Sequence, residues 1–255
     1  MKTVPLTWLK GKLPMPTVEE MIYNNINQVK EKSFVHSTFW YEKQGGSQFI
    51  VDTLAENLCI RYSSSIERMI YDGKRWMINN ELYDAVVFCG NIKQMVHAIE
   101  GVDVSEYYNE VDELEYHGTT AVFCEIDKNP YSWIYLPSQE YDSHRIICTG
   151  NFCASNNDGS IPDSRSTATI EFTDEVDLDY IRENLKKMPL NPQYITHKYN
   201  KYSYPIQNER TQRMIRELKE NLSSVGFYFT GRFADWEYYN MDAAIGAAMD
   251  LCKDL

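Results

Sequence analysis

The chain has 255 residues, of which 37 are acidic and 25 are basic, and its formal net charge is −12 at pH 7. A chain of this length forms one large domain or two smaller ones, and it can bury a core without disulfides or metal ions. The negative charge disfavours nucleic acid and anionic membrane surfaces as partners, whereas a few local donors can still hold a small anion. No apolar run approaches the ~20 residues that cross a bilayer, so we predict no membrane span.

The six cysteines are scattered through apolar segments, include no C-x-x-C pair and follow no secretory leader. We therefore expect a cytoplasmic protein whose thiols are reduced and mostly buried. The five histidines show no paired metal-ligand spacing, so we expect no metal site.

The N-terminal part of the chain is predicted to alternate helices and strands around two glycine turns. Asp72-Gly73 is a strong hairpin signal, because both residues tolerate positive φ angles. The predicted elements are a helix opened by Thr17 and running through Val29, a strand from Phe34 to Tyr41, the turn Gly45-Gly46, a helix capped by Ser47, hairpin strands Ser65–Tyr71 and Lys74–Asn79, and an apolar strand Tyr83–Cys89.

The rest of the chain predicts an antiparallel sheet followed by a helix-rich tail. On one tail helix, Arg213, Arg216 and Lys219 are predicted to form a solvated basic stripe. The predicted elements are strands Thr119–Ile126, Ser132–Leu136, His144–Thr149 and Ser166–Thr173, a helix Asp174–Met188, a strand Tyr194–Tyr199, a helix from about Glu209 to Leu222, a strand Gly226–Thr230 and a last helix from near Asn240.

The most informative segment is Gly231–Asp242, where a strand, a loop and a helix start meet. A glycine lets a ligand approach the backbone, an arginine donates charge-assisted hydrogen bonds, and a helix start offers free N–H groups. This combination suits an anionic or electron-rich ligand. The alternative is structural: Asn240 caps the helix while the aromatic residues of the segment pack.

The segment Gly231–Met249 resembles the C-terminal flavin-binding signature of the flavin amine oxidase and protoporphyrinogen oxidase superfamily. The resemblance is greatest to the branch that includes UDP-galactopyranose mutase and related lipopolysaccharide-biosynthesis proteins. Other parts follow the order of that family, namely Tyr41–Leu58 with its glycine turn, Ile66–Asn91, and the Tyr204-Pro205 step.

The resemblance implies two sets of site residues and assigns no catalytic residue. It implies FAD contacts at Gly45, Gly46, Gly231, Arg232, Met241 and Asp242, and substrate contacts at Tyr204, Tyr238 and Asn240. Two positions depart from the family pattern. Asn240 stands where relatives often have an acid, and Cys89-Gly90-Asn91 replaces a frequent threonine-x-proline.

The sequence contains no G-x-G-x-x-G motif, which in the family belongs to a βαβ unit that holds the FAD adenosine and pyrophosphate. We therefore expect either a separate chain that supplies this unit or a truncated or split product.

The predicted fold class is α+β, with a substrate-type domain at residues 1–40 and 92–203 and a partial FAD-binding domain at 41–91 and 204–255. The predicted function is that of a flavin-dependent oxidoreductase-like protein of lipopolysaccharide or surface-polysaccharide biosynthesis, with a nucleotide sugar as substrate. The alternative is a noncatalytic binding or interaction module that has lost FAD.

Overall fold

The computed structural model describes residues 17–29, 38–157 and 159–255. The α-helices of these residues are Val18–Ile26 (α1), Gln48–Ala55 (α2), Ile92–Ala98 (α3), Tyr108–Asp112 (α4), Leu178–Leu185 (α5), Glu209–Ser223 (α6) and Met241–Asp254 (α7). The strands are Met69–Tyr71 (β1), Trp76–Ile78 (β2), Glu81–Tyr83 (β3), Val86–Phe88 (β4), Ile99–Glu100 (β5), Tyr116–Asp127 (β6), Trp133–Tyr135 (β7), Ser143–Ile147 (β8), Arg165–Thr173 (β9), Gln193–Pro205 (β10) and Phe227–Phe229 (β11).

The largest layer is a five-stranded antiparallel sheet in the order β10-β6-β9-β8-β7. Its longest interior strand, β6, alternates along its length, so that Val122, Cys124 and Ile126 are fully buried on one face. Helix α5 covers this face through Ile181 and Leu185, which belong to the same buried cluster. These observations confirm the predicted α+β class and the predicted antiparallel sheet.

Two smaller sheets complete the fold. One is four-stranded in the order β3-β2-β1-β5, and the other is a parallel pair of β4 and β11. The turn between β1 and β2 is the predicted hairpin, in which Asp72 Oδ1 accepts hydrogen bonds from Lys74 N at 2.9 Å and Arg75 N at 2.7 Å. The Asp72-Gly73 prediction is therefore confirmed.

The described residues form two separate hydrophobic cores. The first gathers the small sheets, α3, α4, α6 and the loop after β11, with Trp76 and Trp236 fully buried. The second lies under the antiparallel sheet. The division at residue 92 stays a prediction, although residues 92–114 pack in the first core together with β4 and α6.

Several sequence expectations differ from the structure. The predicted strand Tyr83–Cys89 is wrong as one element, because β3 ends at Tyr83 and β4 begins at Val86 in another sheet. Of the predicted strand Phe34–Tyr41, residues 34–37 lie outside the described residues and 38–41 form no strand. The predicted burial of most thiols is also wrong, since only Cys124 and Cys148 of the six cysteines are buried.

Three helices stand apart from both cores. Helices α1 and α2 have no buried residue, and no residue between 241 and 253 of α7 is buried either. None of the helices in the described ranges has the length and apolarity that crossing a bilayer demands.

Candidate functional site

The loop between β11 and α7 contains the segment singled out by the sequence, and its own hydrogen bonds define its shape. Gly231 has a φ of 111°, which a side chain would strain, and its carbonyl accepts hydrogen bonds from Ala234 N at 3.1 Å and Asp235 N at 2.8 Å. Its own N–H donates to Asp235 Oδ2 at 3.1 Å. Gly231 therefore gives the loop its turn, while its amide is already used within the protein.

Asp235 holds the inside of this loop. Its side chain is only 4% exposed and forms an ion pair with Lys219 of α6. Its Oδ2 also accepts a hydrogen bond from Thr230 Oγ1 at 3.1 Å. The prediction of a solvated basic stripe is wrong in part at Lys219, whose side chain is 40% exposed, because its ammonium group pairs with a buried carboxylate six residues after β11.

Trp236 and Phe233 fix the loop to the rest of the first core. Trp236 is fully buried in the left-handed region, with a φ of 51°. Its Nε1 donates to Ile206 O at 3.1 Å, and Gln207 Nε2 donates to Trp236 O at 2.9 Å. Phe233 O accepts a hydrogen bond from Ile92 N at 3.0 Å, where α3 begins just after β4. The loop is thus held near the carboxyl ends of both parallel strands.

Arg232, which the resemblance implied to be a FAD contact, lies beside Tyr204 and Tyr238, which it implied to be substrate contacts. The rings of Tyr204 and Tyr238 are stacked, with centroids 5.5 Å apart and an interplanar angle of 13°. Arg232 Cζ lies 5.0 Å from the Tyr204 centroid and 4.7 Å from the Tyr238 centroid. These distances place the guanidinium within cation–π range of both aromatic faces.

Arg232 is a cation with no anionic partner in the described part of the chain. Its Nε is buried and has no hydrogen-bond partner, and no carboxylate of the described residues lies within 4.0 Å of the side chain. A buried guanidinium donor without an acceptor costs about 1–3 kcal/mol. An anionic ligand would offset that cost.

The sequence analysis missed a second arginine, Arg145 of β8. Arg145 Nη2 lies 2.6 Å from Glu171 Oε2 across the β8–β9 pair, and Nε donates to the same oxygen at 2.7 Å. Burial raises the pKa of Tyr204, Glu171 raises it further, and Arg145 and Arg232 oppose the shift, so these groups share one electrostatic environment. The available signal was an arginine inside the apolar strand His144–Thr149.

Helix α7 begins shortly after Arg232 and Tyr238 in the sequence, and its first backbone N–H groups are free of helical hydrogen bonds. Asn240 is the N-cap residue, but its side chain accepts no capping hydrogen bond. The first hydrogen bond inside the helix runs from Ala244 N to Asn240 O at 2.9 Å, so the amides of Met241 and Asp242 have no partner within the helix. The structural alternative is confirmed in part, because Trp236 is fully buried and Asn240 occupies the N-cap position, but no side-chain hydrogen bond of Asn240 caps α7.

The Gly45-Gly46 turn has its own set of neighbours. Both glycines have positive φ angles, 80° and 60°. A Cβ on Gly46 would lie 3.1 Å from Tyr41 Oη and 3.9 Å from Asn156 Oδ1, so the turn packs against the loop after β8. Phe152 of that loop also meets Tyr41 edge to face, at 5.3 Å between centroids. The role of this turn in cofactor binding stays a prediction.

The described residues fit one end of a flavin dinucleotide. The free amides at the start of α7 are donors of the type that bind a diphosphate or an electron-rich ring edge. The adenosine end is different, because the sequence lacks the G-x-G-x-x-G turn that would hold its pyrophosphate.

A crystal structure of reduced UDP-galactopyranose mutase superposes on this chain with a TM-score of 0.73 and 15% sequence identity, covering 91% of this chain and 55% of that one. The two proteins share a fold. A protein from Exiguobacterium sp. 255-15 that is assigned as a protoporphyrinogen oxidase gives a TM-score of 0.63 at 12% identity, covering 82% of this chain and 50% of the other. A fatty acid isomerase from P. acnes that produces CLA gives 0.57 at 12% identity, covering 82% and 52%.

The chain thus spans about half the length of these three proteins. No protein-family model matches the sequence. No curated protein matches it either. The resemblance predicted from Gly231–Met249 is confirmed as a likeness of fold, which sequence comparison alone does not reach.

Proposed function

We propose that this chain is the substrate-binding part of a flavin-dependent oxidoreductase-like protein that acts on a nucleotide sugar in the cytoplasm. The observation that carries the proposal is the unpaired Arg232 beside the stacked rings of Tyr204 and Tyr238. A nucleotide sugar combines a diphosphate with a planar base, and these three side chains offer a cation together with aromatic faces. Lipopolysaccharide or surface-polysaccharide biosynthesis is the setting that we propose, because nucleotide sugars are the donors in such pathways.

In this proposal, each side chain of the site contacts a different part of the bound molecules. Arg232, for which the resemblance implied a FAD contact, is assigned in this proposal to the substrate diphosphate. Tyr204 and Tyr238 limit the position of that diphosphate through their ring faces. Arg145 adds positive potential, although Glu171 already neutralises part of its charge. The amides at the start of α7 and the neighbouring Asn240 face the flavin side of the site. A bound flavin would supply the electron-transfer chemistry, which no side chain provides.

The second candidate is a noncatalytic binding module that has lost FAD. The absence of G-x-G-x-x-G from the sequence favours this candidate, because tight FAD binding needs a site for the pyrophosphate. Both candidates retain the nucleotide-sugar site, so the substrate test and the flavin test are independent.

The substrate test is calorimetric titration of the protein with UDP-galactose and with UDP alone. We expect Arg232→Met to weaken UDP-galactose binding by about tenfold to a hundredfold, since a charge-assisted hydrogen bond is lost. Arg213→Met is the matched control, because Arg213 is an exposed arginine on α6 and its charge lies outside the cluster. Equal affinities of the two variants, or no binding by the wild-type protein, would contradict the proposal.

The flavin test separates the two candidates. Visible absorbance of the protein after incubation with FAD, alone and together with a dinucleotide-binding chain, reports whether the cofactor is retained. Flavin retention supports the oxidoreductase, and its failure under both conditions supports the noncatalytic module. If flavin is retained, a requirement for the reduced form without oxygen consumption would indicate a mutase, whereas oxygen consumption would indicate an oxidase.

A further inference from the structure

Two charged residues of the antiparallel sheet lie on the face that turns away from the second core. Successive residues of a strand point to opposite faces of a sheet. In β9, Ile170 is buried in the cluster that includes α5, so its neighbour Glu171 points to the other side. In β8, the same alternation separates the buried Ile146 from Arg145. Glu171 and Arg145 therefore share one face of the sheet.

A β-bulge in β8 sets Arg145 directly opposite Glu171. The register advances by two residues in β8, from Ser143 to Arg145, while it advances by one residue in β9, from Phe172 to Glu171. Bulges re-aim side chains and are frequent beside active sites. The result here is a close ion pair, in which Nε and Nη2 of Arg145 both lie within 2.7 Å of Glu171 Oε2.

This ion pair leaves one acceptor and one donor unused. Glu171 Oε1 and Arg145 Nη1 have no hydrogen-bond partner in the described part of the chain, and neither atom is fully buried. Both atoms are therefore open to a ligand. The two charges cancel, and the adjacent His144 does not alter this balance, because burial lowers its pKa and favours the neutral ring at pH 7.

The chemistry of the Arg145–Glu171 pair differs from that of Arg232. Arg232 has no carboxylate beside it and suits a diphosphate, whereas a compensated pair has no net charge with which to prefer an anion. A hydroxyl group is a donor and an acceptor at once. Two neighbouring sugar hydroxyls can therefore donate to Glu171 Oε1 and accept from Arg145 Nη1, so the pair suits a neutral polyol.

Tyrosine side chains lie on both sides of the pair. Burial and then Glu171 raise the pKa of Tyr204. Arg145 and Arg232 both oppose that rise, so both guanidinium groups are neighbours of Tyr204. Across the sheet, Tyr135 of β7 pairs directly with Arg145 and is 69% exposed. A sugar joined to the diphosphate can thus reach the pair, and the ring of Tyr135 is available for its apolar face.

We propose that Glu171 and Arg145 bind the hexose ring of the nucleotide sugar and make the site prefer a glycosylated nucleoside diphosphate over a free one. Glu171 Oε1 accepts a hydrogen bond from one sugar hydroxyl, and Arg145 Nη1 donates a hydrogen bond to the next. Tyr135 packs against the apolar face of the ring. This inference rests on the proposed function, because the diphosphate held by Arg232 determines where the sugar begins.

The experiment is calorimetric titration of the wild-type protein and three variants with UDP-galactose and with UDP. We expect the wild-type protein to bind UDP-galactose about tenfold more tightly than UDP, since the sugar adds one or two hydrogen bonds. Glu171→Gln should reduce this preference to less than about threefold, because the charged acceptor is lost. It should also tighten UDP binding about twofold to threefold, since Arg145 then keeps an uncompensated positive charge.

Arg145→Met tests the other member of the pair. It should also abolish the preference for UDP-galactose, but it should weaken UDP binding, because Glu171 then keeps an uncompensated negative charge. Misfolding would instead weaken the binding of both ligands in both variants. Glu125→Gln is the matched control, because Glu125 pairs with Arg165 on the same face of the sheet, roughly 13 Å further along β6. This control should change neither affinity.

Three results would overturn the inference. They are equal wild-type affinities for UDP-galactose and UDP, a preference for UDP-galactose that survives Glu171→Gln, and UDP affinities that change in the same direction in Glu171→Gln and Arg145→Met. The titration of Arg232→Met with UDP tests the diphosphate site by itself. If Arg232→Met weakens UDP binding while Glu171→Gln leaves the preference intact, the proposed function stands and the sugar contact is refuted.

Discussion

Replacing Asp235 by alanine should destabilise the protein strongly, because this buried carboxylate holds the loop after β11. The substitution leaves Gly231 N and Thr230 Oγ1 without their acceptor, each now 3.1 Å from Oδ2. Hydrogen bonds to a charged group contribute about 1.5–3 kcal/mol each. The lost ion pair adds little, since Lys219 is 40% exposed and regains water. We expect the free energy of unfolding to fall by about 3 kcal/mol, the lower end for two such bonds.

Urea titration followed by tryptophan fluorescence measures this change, because the buried Trp236 adjoins Asp235. Asp235→Asn keeps an acceptor oxygen and should lose only about 1 kcal/mol. Asp250→Ala is the control, since Asp250 is an exposed acid on α7 with 75% of its side chain accessible, and it should change stability by less than about 0.5 kcal/mol. If Asp235→Ala were no more destabilising than Asp250→Ala, the reasoning about this loop would be refuted.

Three further predictions concern glycines and thiols. Gly101→Ala should destabilise the protein by more than about 3 kcal/mol, because the new Cβ would lie 2.1 Å from Tyr71 O at a φ of 83°; a thermal midpoint near the wild-type value would contradict this. Gly246→Ala should instead raise stability by about 0.5–1 kcal/mol, because its Cβ enters open space in a helix, and a lowered midpoint would show hidden packing. Burial raises the pKa of Cys124 to about 12, so iodoacetamide followed by mass spectrometry should label the exposed Cys59 before the buried Cys124. Raising the pH from about 7 to about 9 should still leave Cys124 unlabelled while the protein stays folded, and rapid labelling of Cys124 at pH 9 would contradict this.

Local signals predicted the elements whose hydrogen bonds are local. The Asp72-Gly73 turn closes on residues two and three positions away, and Asn208 caps α6 through a bond from Thr211 N at 2.9 Å. Such features depend on a few adjacent residues, so composition and periodicity reveal them.

The errors occurred where distant residues decide the structure. The predicted strand Tyr83–Cys89 is divided because β3 pairs with β2, whereas Val86 pairs with Phe227 from the far end of the chain. Lys219 lies on the polar side of α6 by pattern, and only the folded loop brings Asp235 to it. Sequence periodicity carries no information on such pairings.

The candidate site likewise contains residues that the sequence identified and contacts that it did not reveal. Family resemblance singled out Arg232, Tyr204 and Tyr238, which the structure brings together, and their roles stay a prediction. It did not reveal Arg145, which joins the site through the registry of β8 with β9 across from Glu171. Nor did it reveal that the Gly231 amide is already used by Asp235.

The pairing of β4 with β11 also constrains the order of folding. In the sequence, β4 precedes and β11 follows all the strands of the antiparallel sheet. Bringing β4 and β11 together therefore closes a long loop, which carries a large entropic cost until that sheet has formed. During synthesis, β4 leaves the ribosome long before Phe227 is made. The apolar residues of β4 therefore stay unpaired until β11 has been synthesised. We therefore expect the antiparallel sheet to fold first. The parallel pair of β4 and β11 should form last, in a chain that is already compact.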